Sequence, residues 1–247
     1  MSTREREIVE DAIKAVEALR AINLASSEMA DAAVERVVET AARQLAERPD
    51  GDGLAATLTA GMQVQGERPK ARVYWLRDAS VSMGDWEISI ADGARVLLTE
   101  VLRRAHGQLD HRFAAFGTVA TPLPGPAEWV AFRPEAGQGT AASCGLRWIA
   151  EDLANNPPDE DTDVYVYLFS DGDNRPVDNQ ATDTLVRALA ERVVAFGYTE
   201  LCEYRWSHSS TMLRCLPVFT DQDRPRVRGV AIEEPCDLAV AVGKLLA

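Results

Sequence analysis

Apolar residues recur at helical spacing in two stretches at the start of the chain. Over 5–24 the stripe runs Ile8, Ala12, Val16, Leu19 and Ile22, and over 27–47 it runs Ala30, Val34, Val37, Val38, Ala41 and Leu45. Ser2 with Glu5 forms a capping-box pattern, and Ser26 or Ser27 is placed to cap the second stretch. So short a connection predicts an antiparallel helical hairpin, either packed on the main body or serving as a docking or dimerisation arm. Arg48-Pro49-Asp50-Gly51-Asp52-Gly53 breaks the pattern. The expected division is therefore a hairpin and linker over 1–69 and a second domain over 70–247.

From Arg72 the texture changes to short apolar runs alternating with helical stripes. Val73-Tyr74-Trp75-Leu76 is of strand type and ends at Asp78. Residues 86–104 predict a helix with Ile90, Ala94, Leu97, Leu98 and Val101 on one face, and 111–116 a strand. A helix over 140–153, a buried strand over 164–169, a helix over 182–192, strands near 193–198 and 228–232, and a closing helix over 237–246 complete the series. Strands alternating with helices of this length predict an α/β fold, a Rossmann-like doubly wound and mainly parallel sheet. In such sheets ligands sit beyond the carboxyl ends of the strands, near the point where the strand order reverses.

Charge narrows the candidate partners. The 247 residues carry a formal net charge of -13, a surface that repels phosphate backbones and anionic lipid, so neither nucleic acid nor membrane is an expected partner. No run of about 18 apolar residues encodes a membrane span. The charged start, MSTREREIVEDAIK, lacks the apolar block of a secretory signal, and a cytoplasmic location is expected. Cys144, Cys202, Cys215 and Cys236 stand far apart without a C-x-x-C pair, so they are expected to be reduced and mostly buried.

Three loops at predicted strand ends or helix starts carry small oxygen-bearing side chains. They are Asp78-Ala79-Ser80-Val81-Ser82-Met83-Gly84, Gly137-Gln138-Gly139-Thr140 and Ser170-Asp171-Gly172-Asp173. Hydroxyls and carboxylates without sulfur or imidazole suit Mg²⁺, Ca²⁺ or Mn²⁺ better than Zn²⁺ or copper. Neutral hydroxyl ligands leave such a cation short of negative charge, so it favours an acidic ligand from outside. Asp173 and Asn174 could join this set or simply form the turn after the strand.

Asp78, Ser80, Ser82, Thr140 and Asp171, as D-x-S-x-S, a distal Thr and a distal S-D-G, resemble the metal-ion-dependent adhesion site of von Willebrand factor A domains. The resemblance covers residues 71–247. DASVSMGDWE, GQGTAAS, YVYLFSDGDN and FGYTELCEYRWSHSSTML are similar to the YhbH/YeaH-like bacterial branch of that superfamily. It implies a divalent cation, most simply Mg²⁺, approached by Ser80, Ser82 and Thr140, with Asp78 and Asp171 acting directly or through water. It also implies a protein partner that completes the coordination with a carboxylate. By that resemblance the candidate partners are a serine protein kinase of the PrkA type, a SpoVR-like protein, an AAA+ ATPase or a second copy of the chain.

Rival chemistries fit less well. A haloacid-dehalogenase-like phosphatase needs a second Asp two residues after the first, where this chain has Ser80. A serine hydrolase needs a nucleophile elbow and a histidine in reach, and only His106, His111 and His208 exist. Neither nucleotide-binding glycine motif is present. The expectation is a non-enzymatic, metal-dependent adaptor. The alternatives are a structural self-assembly module with a weak metal site and a metal-assisted phosphoester hydrolase.

Overall fold

The computed structural model describes residues 70–134, 139–202, 211–221, 226–234 and 237–246. The predicted N-terminal hairpin, Gly137, Gln138, Trp206, His208 and Cys236 lie outside the described residues. Strand β1 (Lys70–Asp78) leads through a short loop to helix α1 (Asp85–Ala105), strand β2 (Gln108–Phe116), strand β3 (Ala120–Leu123) and helix α2 (Pro126–Ala131). Helix α3 (Ala142–Asn155), strand β4 (Thr162–Ser170), helix α4 (Asn179–Ala190) and strand β5 (Ala195–Leu201) follow. A single helical turn α5 (Met212–Cys215), strand β6 (Val227–Ile232) and helix α6 (Leu238–Leu246) close the domain.

The strands form one sheet in the order β3-β2-β1-β4-β5-β6. All neighbours are parallel except β2 and β3, which run antiparallel. This is the doubly wound order expected from the alternating pattern, with an antiparallel strand at one edge. Sequence reasoning did not find β3, α2 or α5. β3 is four residues long and contains Pro122, and α2 spans barely one and a half turns. The periodic elements all appear within a few residues of their expected limits, with one consequential shift. The third helix begins at Ala142, so Thr140 stands in the extended segment before it and not in its first turn.

Both faces of the sheet are covered. Val73 and Trp75 of β1, Phe113 of β2 and Tyr167 and Phe169 of β4 pack with α1, α6 and Trp129 of α2. Tyr74 and Leu76, Ala114 and Phe116, and Val164, Val166 and Leu168 point the other way, onto α3, α4 and Met212. Strand side chains alternate between faces, so a strand covered on both sides carries a continuous apolar run, as β4 does over residues 164–169. Each large apolar side chain removed from water contributes about 1.5–3 kcal/mol. Trp75 and Trp129 are wholly buried, while Trp86 and Trp148 pack at the margins of the core.

The described cysteines are reduced, as expected, but less buried than expected. Cys144 and Cys202 are half-buried and Cys215 is exposed, all as free thiols. Burial together with the Asp178 charge pushes the Cys144 thiol up to about 11, so it remains a protonated and unreactive group at neutral pH. Among the described residues no helix is long and apolar enough to cross a membrane.

Candidate functional site

The strand order reverses between β1 and β4, and the loops leaving the carboxyl ends of these two strands meet there. They enclose a cleft of about 380 Å³. Ser80 and Ser82 from the loop after β1 and Thr140 from the segment before α3 supply its hydroxyls. Asp173 and Arg175 from the loop after β4 supply charge, and Val81 and Pro176 form an apolar rim. Three of the five anticipated residues thus share one cleft, though Ser80 and Thr140 lie sixty residues apart in the chain.

Asp78 lies beneath the cleft and is fully buried. One carboxylate oxygen accepts the Ser80 N–H at 2.7 Å and the other accepts the Ser170 hydroxyl at 2.8 Å. The Ser80 and Ser82 hydroxyl oxygens are 2.9 Å apart. Burial, reinforced by the neighbouring Asp171 charge, pushes the Asp78 carboxyl up to about 7, against the pull of the Ser80 and Ser170 hydrogen bonds. Asp171, the fifth residue, is half-buried, and its carboxylate accepts the Asp173 N–H at 3.0 Å. It acts on Asp78 through its charge and does not line the cleft.

The surrounding chain fixes these groups from several sides. Ala79 N–H donates to the Phe116 carbonyl, and Met83 and Gly84 N–H donate back to Ser80 and Ser82, folding the first loop tightly. Arg77, also fully buried, donates to the carbonyls of Asp78, Trp129 and Phe132 and lies 5.5 Å from the centre of the Trp129 ring. Burial first, and Arg133 next, lower the Arg77 guanidinium to about 10, still cationic at neutral pH. Arg77 thereby ties the base of the cleft to α2, an element that propensity alone did not reveal.

Helix α3 receives its N-terminal partners from the loop after β4. The Asn174 side-chain oxygen accepts the Ala142 N–H at 3.0 Å, and Asp178 accepts the Ser143 N–H at 3.0 Å and the Thr182 hydroxyl at 2.8 Å. Burial raises the Asp178 carboxyl, but these bonds outweigh it and hold it below its ordinary value. Arg175 N–H donates to the Thr140 carbonyl, fastening the Thr140 segment to the β4 loop. Within that loop Gly172 has φ 90°, and a Cβ there would lie 2.7 Å from the Glu200 carboxylate. Asn174 therefore serves the turn and the helix start, whereas Asp173 faces the cleft.

Sequence reasoning named Asn174 as a metal-loop or turn residue, and it serves the turn; it missed Arg175 and the role of Ser170. Ser170 was readable as the first residue of S-D-G, but its role depends on pointing back at Asp78. Arg175 carries no motif signal. The histidines pack as structural groups: His106 bonds the Tyr165 hydroxyl and His111 accepts the Trp75 indole N–H. Neither lines the cleft. Among the described residues no group of three or more His, Cys, Asp or Glu side chains is arranged to hold a metal.

The fold and cleft define a doubly wound α/β domain with a hydroxyl-lined recess at its topological switch point. Comparison with known proteins places it more closely. The whole chain, residues 1–247, matches the family described as "Protein of unknown function (DUF444)", and the chain belongs to that family. A UPF0229 protein of Halalkalibacterium halodurans is 31% identical over 169 residues, covering 68% of this chain and 42% of the relative. A UPF0229 protein of Bacillus thuringiensis is 34% identical over 143 residues, covering 58% of this chain and 36% of the relative. The chain thus spans less than half the length of these curated relatives. Among solved structures, manganese-loaded Plasmodium vivax TRAP superposes with TM-score 0.47 at 18% identity, over 74% of each chain. An aerotolerance-related membrane protein of Bacteroides fragilis superposes with TM-score 0.45 at 12% identity, over 72% of this chain and 98% of that one.

Proposed function

We propose that the domain is a von Willebrand factor A-type module of the YhbH/YeaH-like branch, using its cleft as a metal-ion-dependent adhesion site to bind a protein partner. The supporting observation is the pair of hydroxyls, Ser80 and Ser82, 2.9 Å apart in one recess with Thr140, with the buried Asp78 accepting the Ser80 N–H. Ser80 and Ser82 share a hydrogen bond at 2.9 Å, close to the separation of adjacent ligands on an octahedral ion with bonds of about 2.0–2.1 Å, and the hard-oxygen donor set suits Mg²⁺. Ser80, Ser82 and Thr140 would hold the ion, and Asp78 and Asp171 would supply the charge behind it. When bound, the ion offers an acidic side chain of a partner an incompletely neutralised Lewis acid. A serine protein kinase of the PrkA type, a SpoVR-like protein, an AAA+ ATPase or a second copy of the chain is the candidate partner.

Calorimetric titration with Mn²⁺ tests the reading, comparing wild type with Thr140→Ala and Asp78→Asn. One site in wild type and none in either variant, with thermal unfolding retained, is the expected result. Equal cation binding in all three proteins, or none in wild type, overturns it.

A further inference from the structure

Arg175 is an unusual neighbour for a cation. Its guanidinium lies in the same recess as Ser80, Ser82 and Thr140, with its stem across Gly139, where a Cβ would stand 3.6 Å from Arg175 Cδ. It is exposed and makes no ion pair among the described residues, although the Asp173 carboxylate lines the same recess. Its backbone N–H, bonded to the Thr140 carbonyl, fixes where the side chain begins. A cationic side chain anchored at this lip repels a divalent ion in the recess, since like charges at close range oppose each other even when partly screened. A carboxylate between them offsets that penalty because it is attracted to both positive centres. The planar guanidinium fork also matches the two oxygens of a carboxylate.

The remaining wall is apolar. Val81 is 72% exposed, and Val177, next to the lining Pro176, is 86% exposed. A β-branched side chain presented to solvent at the lip of a polar recess suits an apolar side chain adjacent to the anchoring carboxylate.

We infer that Arg175 is a specificity-determining residue of this site: it forms a second anchor for a partner's Asp or Glu carboxylate and couples cation retention to that carboxylate's arrival. The partner segment is an acidic residue beside an apolar one, the latter seated on Val81 and Pro176. This rests on the metal-dependent reading above and adds a sign to it. The cation and the acidic ligand each strengthen the other's binding, by the same factor in both directions.

The test uses Mn²⁺ alone and a pentapeptide with one central Glu between leucines, with its Gln counterpart as control. Wild type, Arg175→Ala, Arg175→Lys and Val81→Ser are compared on the full chain. In wild type the Glu peptide should tighten Mn²⁺ binding roughly tenfold and the Gln peptide should not, as expected for a coupling in the usual allosteric range. Arg175→Ala should bind Mn²⁺ alone about threefold or more tightly than wild type, because a like charge is gone, and should lose most of the peptide's enhancement. Arg175→Lys should keep the repulsion but weaken the peptide's effect, since an ammonium lacks the fork. Val81→Ser should weaken the peptide's enhancement of Mn²⁺ binding by removing the apolar seat. If Mn²⁺ binds wild type and fails with Thr140→Ala, yet Arg175→Ala matches wild type in both readouts, the inference falls and the metal-site reading stands. If wild type takes up no Mn²⁺, both fall together.

Discussion

Asp78 sits where a carboxylate is poorly solvated and faces the charge of Asp171, a cost that the Ser80 and Ser170 hydrogen bonds only partly offset. Asp78→Asn keeps the shape and removes the charge. In chelator at pH 8 the variant is expected to be as stable as wild type or more so by about 1 kcal/mol, the usual trade at a strained site. Urea unfolding checks it, and a loss above about 2 kcal/mol contradicts the expectation. Glu200 behaves similarly at a second position. Burial raises its carboxyl above the ordinary 4.5, and it accepts the Leu213 N–H and the Tyr198 hydroxyl. The folded state then holds this proton more tightly than the unfolded state does. Its contribution to stability is fully present below pH about 4.5 and declines as pH rises through the raised folded value. Glu200→Gln should flatten that decline in unfolding measurements from pH 4 to 8. At this scale the sequence disclosed the groups whose type declares their chemistry, Asp78, Ser80, Ser82, Thr140 and Asp171. It could not disclose Arg175, because a guanidinium acquires its role from the path of the loop that carries it.

Elements were legible in proportion to their periodicity. The helix over Asp85–Ala105 and the strand over Thr162–Ser170 bury long regular patterns, so their limits follow from the sequence to within a few residues. β3 and α2 are too short for a period to accumulate. The one local sign of α2, Gly125-Pro126 before Trp129, places Pro in the first turn, where its missing N–H costs nothing. How closely α3 approaches the sheet was also hidden. A Cβ on Gly145 would stand 2.7 Å from both terminal carbons of Leu76. Gly145→Ala is therefore expected to destabilise the domain by about 1–3 kcal/mol through overpacking, read as a lowered urea midpoint with unchanged slope. Asp178 joins the starts of α3 and α4, and Asp178→Ala should cost about 1–3 kcal/mol by leaving the Ser143 N–H and Thr182 hydroxyl without their charged acceptor. Hydrogen exchange faster at Ser143 than at Leu153 would locate the loss at the helix start.

At the scale of the whole molecule the alternating pattern predicted the architecture because a parallel sheet leaves few ways to connect its strands. The position of the site followed from the same logic, since the strand order reverses between β1 and β4. The hairpin expected over 1–47 lies outside the described residues, and its contribution is a separate matter from the cleft. If the recess holds a cation, the folded state gains stability by mass action, about 2.7 kcal/mol at a hundred times the dissociation constant. Mg²⁺ should then raise the thermal midpoint of wild type relative to chelator and leave that of Asp78→Asn unmoved.

The central strand pairs on one side with β2 and on the other with β4, whose residues lie some ninety positions further along. A ribosome delivers these partners in sequence, so a nascent chain that has released only its first hundred and thirty residues holds half a recess. Capture of a ligand must wait until the second loop has emerged and β4 has docked. If the recess is a binding site, it is competent only once the sheet is joined across its middle.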